Sequence, residues 1–146
     1  MSDRTIGENV NRAARLFRRL ADQRLAPLGL SAGYLPVLTA LLDGRAMSQK
    51  ALTEHAGIEQ PTMAATLGRM ERDGIIERQP DPADKRSARF SLTAPIRARA
   101  TQIAAAIHDM NAEVLTNLSA GDVEVLRLSL SIIAAAIETA LEGRTG

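Results

Sequence analysis

The sequence predicts a mainly helical chain with one small β-hairpin, an α+β class, and three observations carry that prediction. Apolar residues recur at spacings of three and four over most of the chain. Strict alternation is confined to two short runs, and those runs flank a stretch of turn formers and charge. The 146 residues, 45% hydrophobic and 24% charged, fit one ordinary globular domain or an intimately fused pair, and they exclude a disordered chain.

Ile6, Val10, Ala13, Phe17 and Leu20 form an apolar stripe on a first helix that ends near Ala26-Pro27, with Arg12, Arg15, Arg18 and Arg19 off the stripe. Leu30-Ser31 opens a second helix, with Ser31 as its cap, which runs through Leu35, Leu38, Leu41 and Leu42 to Asp43-Gly44. Pro36 stands within its first turns, a position from which it can bend the axis. Ser48 caps a short helix from Gln49 to His55 that stops at Ala56-Gly57. Pro61 begins the next, through Arg72, and Asp73-Gly74 terminates it. This is a helix-turn-helix spacing. Residues 75–78 and 88–92 alternate like strands, and residues 80–87 between them form a hairpin with a basic tip. Thr93 and Pro95 read as the cap and start of a long helix striped by Ile103, Ile107, Met110 and Val114. Ser119 to Asp122 separate it from a last helix carrying Val123, Leu126, Leu130, Ile133, Ile137 and Leu141.

The compact module, residues 31–93, needs little of the apolar area on its flanks. Residues 1–30 and 94–146 are therefore assigned to dimerisation helices that pack against a second copy of the chain.

Formal net charge is +1, yet residues 45–99 hold ten bases against seven acids while residues 100–146 hold two against six. A basic middle with an acidic tail suggests one surface that meets a polyanion. No run approaches the length of a membrane span, and the polar N-terminus has no signal-peptide core, so the protein is expected in the cytoplasm. The absence of cysteine closes disulfides, thiolate metal sites, cysteine nucleophiles and thiol redox sensing. There is no phosphate loop, no serine elbow and no paired histidine motif, and His55 and His108 fall on different helices. Neither an enzyme, a cofactor nor a metal site is expected. Three dispersed aromatics, Phe17, Tyr34 and Phe90, are too few for a single-strand stacking platform, which leaves duplex DNA as the natural polyanion.

On the helix from Pro61, Met63, Leu67 and Met70 must face inward, so Gln60, Pro61, Thr62, Ala65, Thr66 and Arg69 are left on the outer face or its margin. That set is slim and polar, as close approach to base edges in a major groove requires. Lys85 and Arg86 at the hairpin tip and Arg89 on its return strand are placed to meet the backbone or the neighbouring minor groove. Asp84 either orients the Arg86 guanidinium or caps the turn. Helix, turn, slim-faced helix and basic hairpin in immediate succession give a winged helix-turn-helix order. A winged helix used only for protein interaction is the alternative, but such modules usually lose the basic wing and fill the outer helix face with acids or large apolar groups.

Residues 67–78, followed by Asp84-Lys85-Arg86 and Phe90-Ser91-Leu92-Thr93, resemble the MarR family of bacterial transcriptional regulators. The most specific part is the wing signature Asp-x-Arg-x-x-x-aliphatic-x-Leu-Thr, in which Phe90 replaces the usual Val or Ile. The resemblance implies a homodimer whose terminal helices interlock and whose recognition helices enter successive major grooves of a pseudo-palindrome. It also implies that Arg86 is the wing arginine of the minor groove. Glu59 departs from the Ser or Thr that often caps the recognition helix, and the Gly common after Leu-Thr is absent here. The region between dimer and DNA-binding parts often holds a small-molecule effector site for aromatic acids or phenols in that family. Arg15, Arg19 and Tyr34 are the candidates to line it here.

Overall fold

The structure is a computed structural model that describes residues 3–144. The chain divides into two compact units, one running to Met110 and the other beginning at Asn111.

In the first unit, helix α1 (Ile6–Leu25) opens on a capping box in which the Thr5 hydroxyl accepts from the Glu8 N–H and the Glu8 carboxylate accepts from the Thr5 N–H. It runs into a 3-10 turn at Ala26–Leu28, closed by Gly29. The second helix differs from expectation: a 3-10 turn at Ala32–Tyr34 precedes α2 (Leu35–Leu41), and the Ser31 side chain caps nothing. Instead the Asp22 carboxylate of α1 accepts from the Ala32 N–H at 2.7 Å. Pro36 therefore falls in the first turn of α2, where its missing N–H has no helical partner to lose, and it starts the helix rather than bending its middle.

Ser48 caps α3 (Gln49–Ala56) as expected, its hydroxyl accepting from the Ala51 N–H at 3.1 Å, and Gly57 ends the helix in the left-handed region at φ +64°. Helix α4 (Gln60–Arg72) has Pro61 in its first turn and stops at Asp73, with Gly74 at φ +71°. Strands β1 (Met47–Ser48), β2 (Ile76–Asp81) and β3 (Asp84–Leu92) form an antiparallel sheet in the order β1-β3-β2. β1 has only two residues, too few to show alternation, so the sequence gives no sign of a third strand.

The hairpin is also longer than its alternation suggests, because β2 and β3 run up to Asp81 and Asp84 and leave only Pro82 and Ala83 as the turn. Lys85 and Arg86 lie on β3, not at the tip. Pairing jumps from Pro80↔Ala88 to Asp81↔Asp84, so residues 85–87 bulge out with nothing directly opposite. The expected continuous helix after Thr93 is broken into α5 (Ala94–Arg97) and α6 (Ala100–Val114). The Thr93 hydroxyl caps neither; it donates to the Gly74 carbonyl at 2.7 Å, while the Arg99 guanidinium at the break donates to the Leu28 carbonyl at 3.1 Å.

One apolar cluster joins Leu38 and Leu41 of α2, Leu52 of α3, Met63, Leu67 and Met70 of α4, Phe90 and Leu92 of β3, Ile96 and Ile103. Each such side chain contributes about 1.5–3 kcal/mol through removal from water. A smaller cluster sets Ala21 of α1 against Ala32 and Met110.

The second unit contains the end of α6 and helix α7 (Ala120–Glu142), which opens on a capping box between Ser119 and Asp122. No residue of α7 is buried. Val125, Leu128, Ile132 and Leu141 are 60–65% exposed, and Leu130 and Ile137 are close behind. In α1, Ile6, Val10 and Leu16 are likewise exposed.

Two substitutions check this core. Leu67→Ala should lower unfolding free energy by about 2–5 kcal/mol in urea at fixed protein concentration. Gly74→Ala, where a methyl meets nothing within 4 Å but φ is +71°, should cost only the strain of the left-handed conformation, about 1–2 kcal/mol.

Candidate nucleic-acid interface

The face of α4 that packs inward is wider than Met63, Leu67 and Met70 alone, because Thr66 is also buried at 5% exposure. Its hydroxyl donates to the Thr62 carbonyl one turn back at 3.0 Å, which satisfies it inside the helix. Thr66 therefore does not stand on the outer face where the sequence reading put it: positions 63, 66, 67 and 70 make the three-and-four stripe of a globular helix. Gln60, Pro61, Thr62, Ala65 and Arg69 are exposed. The Glu59 side chain makes no capping bond to the helix N-terminus. Gln60 is held from the neighbouring helix, since the Gln49 amide Nε2 donates to the Gln60 Oε1 at 3.2 Å. Arg69 reaches toward the 3-10 turn before α2: a Cβ on Gly33 would sit 3.8 Å from a guanidinium nitrogen of Arg69 and 3.8 Å from one of Arg18.

The wing stands beside the first turn of α3, and a concavity of about 820 Å³ lies between them, lined by Gln49, Lys50, Arg78, Lys85 and Arg86 among others. Two carboxylates on its rim are turned toward the hairpin's own backbone and hydroxyl groups. Asp81 accepts from the Ala83 N–H at 2.9 Å and from the Ser87 hydroxyl at 3.3 Å, and Asp84 accepts from the Arg86 N–H at 2.9 Å. Of its two expected roles, Asp84 therefore fills the turn-capping one. Arg78 is paired with Glu71 at 3.0 Å and lies 5.2 Å from the Phe90 ring centre, directly across the β2–β3 pairing. An aromatic at the usual aliphatic position thus stays buried while giving that guanidinium a face to rest on. Lys50, Lys85 and Arg86 make no ion pair among the described residues, so the concavity keeps a positive balance. Arg89 is exposed on β3 and its guanidinium donates to the Ala46 carbonyl at 3.1 Å. The sequence reading missed Gln49 and Lys50, although a Ser48 cap already places both in the first turn of a helix.

The three candidate effector residues are not alike. Arg15 and Arg19 are exposed on α1, whereas Tyr34 is 6% exposed within the core and its hydroxyl donates to the Asp73 carboxylate at the end of α4. Burial first, then the bond to Asp73 and that carboxylate's charge, raise the phenol above its ordinary value of 10.0, with Arg69 and Arg72 pulling the other way. Among the described residues no group of three or more His, Asp and Glu is placed to hold a metal ion, and no helix is long and apolar enough to cross a membrane.

Residues 28–87 match the model of the MarR family. The chain is similar to a probable transcriptional regulator from Pseudomonas aeruginosa, at 26% identity over 90% of this chain and 98% of that one, with a TM-score of 0.79. A mutant MarR from E. coli, complexed with operator DNA, is 25% identical over 88% of this chain and 92% of that one, with a TM-score of 0.77. MepR from S. aureus, solved as a DNA complex, has the same fold at a TM-score of 0.80, with 20% identity over 92% of this chain and 99% of that one. The resemblance carried by the wing signature is borne out: residues 28–87 fit the MarR family model, and the chain has the fold of MarR-family transcriptional regulators.

Tyr34 is the chain's single tyrosine, so phenolate absorbance reports it alone. Its ionisation should occur at higher pH in the folded protein than in denaturant. Because the folded value is the raised one, the associated stability is intact below about pH 10 and is lost as pH climbs through the folded value. Tyr34→Phe should be about 1–2 kcal/mol less stable at neutral pH, and the gap to wild type should narrow above that range.

Proposed function

We propose that the protein is a sequence-specific, double-stranded DNA-binding transcriptional regulator that works as a homodimer on a pseudo-palindromic operator, and that it represses by occluding a promoter. The observation that carries the reading is the juxtaposition of a slim, polar outer face on α4 with a positively balanced concavity under the wing. An α-helix enters a major groove only when its outward side chains are slender, and cations beside it then meet the phosphates that flank the groove. Gln60, Pro61, Thr62, Ala65 and Arg69 are the proposed reading and margin residues. Lys85, Arg86 and Arg89 are the wing contacts, Asp84 shapes the bulge that carries Arg86, and Lys50 is added to the phosphate-contacting set.

Dimerisation is supported by the apolar side chains that α1 and α7 leave in water. A helix apolar on more than one face is stable only when covered. Residues 1–30 and 94–146 are the proposed dimerisation segments around the 31–93 module, although Leu25, Leu30, Ile96 and Ile103 of those flanks also build its core, more than the sequence reading allowed. Two-fold symmetry then sets two half-sites about 10 bp apart, centre to centre. Arg15, Arg19 and Tyr34 are the proposed effector residues, and an aromatic acid or phenol there must bind the two forms unequally to shift operator affinity.

Fragments selected from the source genome by binding supply the operator for the test. Arg86→Ala should weaken binding to it by about 1–3 kcal/mol if Arg86 reaches a groove, and Lys50→Ala should weaken it evenly across sequences while lowering the salt slope by about 1. Titration curves of both variants that overlay wild type at several salt concentrations would remove the concavity from the mechanism. Sedimentation at micromolar concentration should give a two-chain species, and a single-chain species would remove the dimer.

A further inference from the structure

We infer that Gln49 is a positioning residue for base reading: it holds the Gln60 amide with its NH₂ group outward, so that Gln60 selects adenine over guanine. The inference deepens the DNA-binding reading and rests on it. Gln49 and Gln60 are the first residues of α3 and α4, and the helix-turn-helix brings these two N-termini together across the turn. The half-buried Gln49 donates one Nε2–H to the Oε1 of the exposed Gln60 at 3.2 Å.

A glutamine amide has two donors on nitrogen and two lone pairs on oxygen. The bond uses one lone pair, and Gln60 keeps both N–H groups and the second lone pair. It also decides the direction of the amide. An unheld Gln60 can turn either end outward, and each end wants an opposite partner. Held at its oxygen, it offers N–H first and oxygen beside it.

Adenine presents an N7 acceptor next to an N6 donor in the major groove, which matches that order. Guanine presents N7 next to O6, two acceptors, and sets O6 against the Gln60 oxygen. Fixing the amide before DNA arrives also removes rotamer entropy that binding would otherwise have to overcome. Gln49 also lines the concavity beneath the wing.

The test is a double-mutant cycle with Gln49→Met and Gln60→Met, which keep side-chain length and remove the hydrogen bond. Each protein is titrated on the selected operator with adenine or guanine at the half-site position where Gln60→Met loses discrimination. Wild type should prefer adenine, Gln49→Met should reduce that preference by about 5-fold, and the double variant should discriminate no worse than Gln60→Met alone. Gln49→Glu, which cannot donate to the Gln60 oxygen, should lose the preference too. An unchanged urea midpoint in Gln49→Met separates this from misfolding. A retained adenine preference in Gln49→Met, or losses that simply add in the double variant, overturns the inference while leaving the DNA-binding reading intact. A wild-type protein that enriches no sequence overturns both.

Discussion

Which way α4 faces is decided by its burial in the apolar cluster it shares with α2, α3 and β3, and every functional statement about this protein depends on that anchoring. Met63, Leu67 and Met70 are removed from water almost completely, and Thr66 beside them is closed off by a bond within its own helix. Rotating the helix to bring another face outward would expose several large side chains at about 1.5–3 kcal/mol each. The outward set of Gln60, Thr62, Ala65 and Arg69 is therefore a consequence of the core.

The two ends of α4 are held differently. Its C-terminus is tied by three bonds to two other parts of the fold: Asp73 accepts from the Tyr34 hydroxyl, and the Gly74 and Ile75 carbonyls just beyond it accept from the Thr93 hydroxyl and N–H. Its N-terminus has no side-chain cap and meets α3 through an exposed amide pair. A helix fixed firmly at one end and lightly at the other can settle into a groove at its free end while its axis stays set by the core. In the wing, Asp81 and Asp84 accept from the hairpin's own backbone and Ser87 hydroxyl and shape the bulge that carries Lys85 and Arg86.

Much of this was legible in residue order. Ser48 and Gly57 bracket α3, and Pro61 and Gly74 bracket α4, because caps and terminators are local chemistry. The helices α1 and α7 were legible from apolar spacings of three and four. What failed to show was non-local. Ser31 looked like a cap, but the Ala32 N–H is taken by Asp22 from another helix, and Thr93 looked like a cap although its hydroxyl reaches Gly74, nineteen residues away. Two-residue β1 exists only because β3 is there to pair with it. The bulge that moves Lys85 and Arg86 off the hairpin tip is set by register, which alternation alone does not fix. Thr66 was misplaced because a three-residue stripe was read where the helix buries four positions.

The central claim is that a pair of α4 helices, one from each copy of the chain, is presented to DNA on a single face. Hydroxyl-radical footprinting of the protein on its selected genomic fragment tests it most directly. The account predicts two protected patches related by a two-fold axis, their centres about one helical turn apart on the same side of the duplex, with two chains bound per fragment. A single unsymmetrical patch occupied by one chain, or uniform protection along the fragment, would contradict it.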